Sequence, residues 1–330
     1  MAAFTKRRLR LQPESFRHLL LLWYDGHARE LPWRKTQDPY HVWVSEIMLQ
    51  QTRVAAVVAH YHEFLRRFPT VHKLAAARES SVLAAWSGLG YYRRARMLHA
   101  AARVVSRELG GEFPSTAEAL RVLPGIGRYT AAAIASIAFN QPVAVVDGNV
   151  ERVLQRYSGK QLAGEHLWQT AEQILDLSRP GDFNQAMMEL GATLCTPRAP
   201  ACLVCPVRNL CRTHGELPQS SRSARQNKRE IHYGLDRRQG YVFLVQRPPN
   251  VSLMPGMWEL PEIPPPGDHA KPALTVRHSI TVTDYTVHIW HQAMSGPGEW
   301  IKLSKLDRIP LTGLARKVLR KAVLSPANEP

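Results

Sequence analysis

Leu123-Pro-Gly-Ile-Gly-Arg-Tyr-Thr-Ala131 places two glycines around one apolar residue, immediately before an alanine-rich run that continues to Phe139. Such a string bares backbone amides at a helix start, where the helix dipole helps them bind a phosphate with no basic side chain. Taken alone, a Gly-x-Gly reads more readily as a plain tight turn. The text on either side is helical. From Glu14 to Cys211, apolar residues recur at spacings of three and four, as in Val42 to Phe68, Ser80 to Trp86 and Ala95 to Leu109. Pro69, Gly88, Gly90, Gly110, Gly111 and Pro114 punctuate them. Ser115 and Thr116 precede Ala117-Glu118 as a helix N-cap, with Glu118 closing a capping box on Ser115. The spacing therefore predicts that the first part of the chain, through Cys211, is all-α.

The pattern changes after His214. Pro218, Gln219, Ser220, Ser221 and Ser223, with Arg222, Arg225, Lys228 and Arg229, form a polar, basic stretch with little to bury, which reads as a linker. Tyr241 to Val245, Ala273 to Val276 and Tyr285 to Trp290 are β-branched and aromatic, and Leu314 to Val323 has helical spacing. The expected organisation is a helical domain over 1–214, a linker over 215–231 and a smaller α/β domain over 232–330.

Lys and Arg number 43 against 27 Asp and Glu in 330 residues, a formal charge of +16, so a polyanion is the natural partner. Nucleic acid leads and an anionic membrane follows; a merely solvated basic surface is the plain alternative. No apolar run reaches the roughly 18 residues needed to span a bilayer. The first ten residues carry Lys6, Arg7, Arg8 and Arg10 but no apolar core with a cleavage site, so no secretory signal is expected. A short organelle-targeting extension stays open, and with it a cytoplasmic, nuclear or mitochondrial location.

All four cysteines fall between Cys195 and Cys211, in a C-x6-C-x2-C-x5-C arrangement of Cys195, Cys202, Cys205 and Cys211. That placement is unsuited to stapling a long chain and well suited to wrapping thiolates around one centre, which implies a reducing compartment. Zinc and a 4Fe-4S cluster both accept four thiolates, so spacing alone does not choose the metal.

Two carboxylates stand out. Glu46 lies in Trp43-Val-Ser-Glu-Ile-Met-Leu-Gln-Gln-Thr52, an otherwise apolar helix. Buried there, it would be costly as an anion and its pKa would rise, leaving a proton to donate near neutral pH; on the exposed side of the helix it would be an ordinary surface acid. Asp147, in Val145-Val-Asp-Gly-Asn-Val150, is placed to cap the helix that follows.

Read together, Leu31-Pro-Trp-Arg34, the Glu46 helix, Gly88-Leu-Gly-Tyr-Tyr92, the Leu123 to Ala131 string, Val146-Asp-Gly-Asn149 and the cysteines resemble the MutY glycosylases of the helix-hairpin-helix, endonuclease III superfamily across nearly the whole chain. The resemblance implies a base-excision-repair enzyme that flips adenine out of an A:8-oxoguanine or A:G mispair in double-stranded DNA and cuts its N-glycosidic bond, acting as a monomer. It assigns Glu46 as the acid that protonates the purine and Asp147 as the carboxylate that stabilises the oxocarbenium ion, a logic that parallels two-carboxylate glycoside hydrolysis. It sets Tyr129 near the reacting sugar, Asn149 against Asp147, and Arg34 and Gln185 near the flipped adenine. Bifunctional relatives carry a lysine nucleophile where this chain has Tyr129, so strand cleavage by β-elimination is not expected. Gln51 and Tyr91 match the positions that wedge into the duplex, with Thr52 and Leu89 beside the opposite base, although core packing is the plain alternative for Tyr91 and Tyr92. Gly125 and Gly127 take the phosphate, and the cysteines take one structural 4Fe-4S cluster.

Leu253-Met-Pro-Gly-Met-Trp-Glu-Leu-Pro261 resembles a segment of the Nudix-like C-terminal domain of that family, with no hydrolase motif and hence no expected nucleotide hydrolysis. Where the family carries a Phe-Ser-His loop that reads 8-oxoguanine, this chain has Ile280, Thr281 and Val282. Thr281 keeps a hydroxyl and Val282 cannot replace the histidine, which bears on how strongly the lesion is preferred over guanine. The rival readings are an endonuclease III-like glycosylase with lyase activity on oxidised pyrimidines and a non-catalytic DNA-binding protein.

Overall fold

A computed structural model describes residues 12–217, 227–267, 270–280 and 282–322. From Pro13 to Thr193 the described chain is helical: α1 (Pro13–His27), α2 (Pro39–Leu49), α3 (Val54–Arg67), α4 (Val71–Ala76), α5 (Glu79–Trp86), α6 (Arg93–Glu108), α7 (Ala117–Leu120), α8 (Arg128–Phe139), α9 (Gly148–Ser158), α10 (Gly164–Ile174) and α11 (Pro180–Thr193). Strands β1 (Asn227–Leu235), β2 (Arg237–Arg238), β3 (Tyr241–Gln246), β4 (Trp258–Glu259), β5 (Leu274–Ile280), β6 (Thr283–His291) and β7 (Glu299–Lys302) follow, and then α12 (Gly313–Ala322). A helical part followed by a sheet-containing part is thus present.

Two compact units divide the chain by its internal contacts. The first takes Met1–Gln50 and Arg107–Ser220, the second Gln51–Ser106 and Ser221–Pro330. The first unit has its core where Phe16, Leu20, Leu154, Tyr157, Phe183 and Met187 meet, with Cys195 and Cys205 packed against it. In the second unit, α3 and α5 close on Phe64 and Trp86, whose rings meet edge-on at 5.8 Å. β6 runs parallel to β1 and antiparallel to β5, and β3 is flanked by β2, β4 and β7. Val276, Val287 and Ile289 from the first of these sheets meet Val242 and Leu244 from the second, with Leu314, Val318 and Leu319 of α12 against them. This is the burial expected of alternating strands covered by an amphipathic helix.

Local differences from the sequence reading have physical reasons. The helix after the Pro114 turn is capped by Thr116, whose hydroxyl accepts from the Ala119 amide at 3.2 Å; the capping box on Ser115 does not form. Val42 to Phe68 is broken into α2 and α3 by an irregular turn that carries Gln51. Strand β1 begins at Asn227, inside the stretch read as linker: Asn227 to Glu230 are polar and exposed, and backbone pairing with β6 rather than apolar burial makes them strand. Residues 218–226 of that stretch lie outside the described residues.

Candidate active site

α2 is apolar on nearly every side, and Tyr40 and Val42 to Met48 are all buried, so Glu46 has no exposed face to occupy. Glu46 is 4% exposed. Of the two sequence readings, burial holds. Burial pushes its pKa up to about 7, against the Tyr129 hydrogen bond and the Arg34 charge, which favour the anion, while the charge of Asp147 adds to the rise. The Tyr129 hydroxyl, presented from the first turn of α8, donates to Glu46 Oε2 at 2.6 Å and lies 3.5 Å from the Met188 sulfur of α11. Burial and the neighbouring Glu46 hold the Tyr129 phenol well above the usual phenol range, so it stays a donor.

Asp147 is the N-cap of α9. Its Oδ1 accepts from the amides of Asn149 and Val150, at 2.9 and 2.7 Å, and its Oδ2 accepts from the Asn149 side-chain amide at 2.8 Å. The Asn149 oxygen in turn accepts from Arg152 at 2.8 Å, and Arg152 also reaches the Gly191 and Cys195 carbonyls, at 2.7 and 2.8 Å. α11 crosses here so closely that a Cβ on Gly191 would stand 2.6 Å from that of Asn149, which only glycine avoids.

Arg34 and Gln185 belong to the same unit, and the structure adds a partner the sequence reading missed. Glu189 of α11, 1% exposed, accepts from Arg34 at 2.8 Å and from Arg29 at 2.6 and 2.7 Å. Burial opposes its ionisation, yet the two guanidiniums hold its carboxyl down at about 2. Arg34 also lies over the Tyr24 ring, 5.4 Å from its centre. Gln185 is half-buried one turn before Glu189. The signal that could have found Glu189 is the one used for Glu46: an acid between apolar residues, Met188 and Leu190, on a helix.

The hairpin takes the expected form. α7 leads through Gly125, at φ +74°, to Gly127, the N-cap of α8, while Leu123 and Ile126 are buried beneath it. Nothing lies within 4 Å of where a Gly127 side chain would stand, so the space over the helix start is open. Arg128 is absent from that opening: it pairs with Glu165 at 2.7 Å and lies 3.9 Å from the centre of the Trp168 ring.

Arg156, 2% exposed, underlies the cysteine loop. It donates to Cys195 Sγ at 3.3 Å and to the carbonyls of Thr196 and Pro197, while its own carbonyl accepts from the Cys211 thiol at 3.4 Å. Burial above all, with the neighbouring thiols adding to it, pushes the Cys205 thiol up to about 11. Among the described residues no set of three or more Cys, His, Asp or Glu side chains already stands in metal-holding geometry. Four thiols in one loop nevertheless match the donor set of a thiolate-bound cluster.

In the second unit, Gln51 and Tyr91 share an uncommon backbone, with φ of +55° and +49°. Non-glycine residues seldom adopt this left-handed region, and outliers of this kind concentrate at functional sites. Tyr91 is 47% exposed and Leu89 is buried; the core-packing alternative therefore holds for Tyr92, 5% exposed, and fails for Tyr91. Arg94 reaches the Thr52 hydroxyl at 3.2 Å. Thr281 lies outside the described residues; Val282 is 52% exposed.

Residues 44–187 match the profile of the HhH-GPD superfamily base excision DNA repair proteins. The adenine DNA glycosylase of Rattus norvegicus is 42% identical over 325 residues, which cover 79% of this chain and 63% of that protein. The Homo sapiens adenine DNA glycosylase is 51% identical over 220 residues, covering 62% of this chain and 40% of its own length. This chain thus spans less than two thirds of these relatives. Among solved structures, a thermostable thymine-DNA glycosylase superposes with a TM-score of 0.58 at 32% identity, covering 61% of this chain and 96% of its own. A trapped endonuclease III-DNA covalent intermediate superposes with a TM-score of 0.54 at 25% identity, covering 62% and 98%. On these matches, the chain belongs to the HhH-GPD superfamily of base excision DNA repair proteins, among which it is similar to the adenine DNA glycosylases.

Proposed function

We propose that the protein is a monofunctional adenine DNA glycosylase that acts on adenine opposite 8-oxoguanine or guanine in double-stranded DNA. The observation that carries this reading is Glu46: an acid buried in an apolar helix, with a pKa pushed up to about 7 and a tyrosine hydroxyl on one oxygen. With Oε2 occupied by Tyr129, Oε1 is left to present a proton to a purine ring nitrogen. Protonation turns the base into a better leaving group. The C1′–N9 bond breaks with its electron pair going to the base, adenine leaves neutral, and water adds to the cationic sugar, passing its proton to the Glu46 carboxylate. Asp147 lies against that cation, its orientation held by Asn149. Tyr129 has no amine with which to form an imine, so the base is released and the abasic sugar stays in an uncut strand.

Base extrusion leaves a gap that costs a few kcal/mol unless filled. Gln51 and Tyr91 fill it, Thr52 and Leu89 flank the opposite base, and the amides at Gly125 and Gly127 hold a backbone phosphate. Arg34 and Gln185 bound the adenine pocket. Cys195, Cys202, Cys205 and Cys211 would hold a 4Fe-4S cluster whose part is structural; residues 1–214 form the glycosylase domain, and beyond a linker that gives way to β1 at Asn227, a degenerate Nudix-like domain reads the opposite base through the stretch around Thr281. The protein acts as a monomer. Among the described residues no helix is long and apolar enough to cross a membrane.

Single-turnover base release on duplexes carrying A opposite 8-oxoguanine, G or T, and thymine glycol opposite A, tests the reading. Adenine release confined to the first two, with no borohydride-trapped adduct, is expected. Activity on thymine glycol alone, with trapping, moves the chain to the lyase reading. Anaerobically purified protein is expected to contain about four irons per chain; stoichiometric zinc would overturn the cluster assignment.

A further inference from the structure

The turn that presents Tyr91 is braced from several directions within the second unit. Trp86 Nε1 donates to the Gly90 carbonyl at 3.2 Å, and Arg94 reaches the Leu89 and Gly90 carbonyls at the same distance. The His60 ring stands 3.2 Å from the Ser87 carbonyl. The remaining braces come from far along the chain. The Ser87 hydroxyl and the Tyr92 phenol both donate to the Leu311 carbonyl, at 2.8 and 3.0 Å. Arg316 Nε donates to the Ser87 oxygen at 2.9 Å, which fixes where that hydroxyl points, and its other arm is held by Asp307 at 3.0 Å. Ser87, Tyr92 and Leu311 are all buried, so these bonds do not compete with water.

The Leu311 carbonyl is itself held firmly. The Trp258 amide donates to the Pro310 carbonyl at 2.8 Å and the Thr312 amide to the Trp258 carbonyl at 2.9 Å. Thr312 then caps α12, its hydroxyl accepting from the Ala315 amide at 3.1 Å. From α12, Arg316 reaches the wedge turn, while the next residue, Lys317, donates to the Arg277 carbonyl of β5 at 2.6 Å. β5 runs on to Ile280, where the stretch compared with the opposite-base loop begins. Adjacent residues of one helix therefore grip both the strand that leads to the opposite-base reader and the turn that carries the wedge.

We propose that Ser87, Tyr92 and Arg316 are positioning residues that couple β5 to the Tyr91 turn through α12, so that the opposite base governs how well the wedge is placed. The inference rests on the adenine glycosylase reading. A brace of purely structural importance would lower stability and slow release equally for every opposite base. A coupling element alters the ratio between opposite bases.

Single-turnover adenine release by the full chain is measured with 8-oxoguanine and with guanine opposite, beside thermal unfolding. Tyr92→Phe removes one donor to Leu311 with little change of shape, and Arg316→Gln frees the Ser87 hydroxyl. Each is expected to slow release opposite 8-oxoguanine about tenfold, the loss of one buried hydrogen bond at the transition state. Release opposite guanine slows less, so the ratio falls. Arg316→Lys, which retains a cationic donor, restores part of the ratio, and Arg320→Gln, which removes an exposed charge from the same helix, leaves it unchanged. An unchanged ratio in Tyr92→Phe and Arg316→Gln, or an equal fall in Arg320→Gln, overturns the coupling. A wild-type chain that releases no adenine fails earlier and by a different sign: it removes the glycosylase reading itself.

Discussion

Glu46→Gln is expected to lower single-turnover adenine release by about a thousandfold or more, the upper part of the range for loss of a positioned general acid. Glutamine has the shape of the protonated acid and keeps an oxygen for the Tyr129 hydroxyl, so the pocket is preserved while the transferable proton is lost. Duplex binding, measured under conditions where no base is released, is expected to change little; a large loss of binding would instead mean that Glu46 acts structurally. The pH profile provides an independent check. In its proposed role Glu46 works in its protonated form, and burial pushes its pKa up to about 7, so release is expected to be flat below that pH and to fall up to tenfold per unit above it, a limb the glutamine variant lacks. Stability follows the same proton. The folded value lies above the ordinary 4.5, so the folded chain keeps a proton that the unfolded chain has released between those values. The Glu46 contribution to stability is accordingly full below about 4.5 and is lost as pH rises through 7. Glu46→Gln removes that slope, and its unfolding temperature at pH 8 is expected to match or exceed that of wild type.

Asp147→Asn is expected to slow release by about a hundredfold to a thousandfold, typical of removing one preorganised electrostatic stabiliser. This substitution separates the cap that the geometry gives Asp147 from the catalytic part proposed for it. Asparagine caps helices about as well as aspartate, so the bonds to the Asn149 and Val150 amides survive and stability should change by less than about 1 kcal/mol. What disappears is the negative charge beside a developing cation. Asp147→Ala removes both and should in addition unfold at lower temperature. If the asparagine variant released adenine within a few-fold of wild type, the carboxylate would be no more than a cap.

The helical part of the chain and its candidate site were legible because their signals are local. The Gly-x-Gly string, the acid within an apolar helix and the clustered cysteines each declare a constraint within ten or twenty neighbouring residues. Resemblance, not spacing, supplied the roles of Tyr129 and Asn149, and a phenol 2.6 Å from a carboxyl 83 residues away is not readable from either segment alone. Glu189 was missed for the same reason, since Arg29 and Arg34 lie 160 and 155 residues from it. The brace on the wedge turn joins positions 219 and 224 residues apart through a backbone carbonyl, which leaves no trace in residue type. β1 was misread at its start because polar strand residues carry no apolar alternation; only their pairing with β6 makes them strand.

The left-handed backbone at Gln51 and Tyr91 has a consequence for how such a chain can change over generations or under laboratory selection. Glycine is the residue best suited to that conformation, so a mutation to glycine at either position relieves strain and resists heat. It also deletes the side chain proposed to enter the duplex. A screen for heat resistance alone would therefore accumulate glycine at these two positions and return a sturdier protein with a disabled wedge, whereas a mutator phenotype in cells would expose the loss at once.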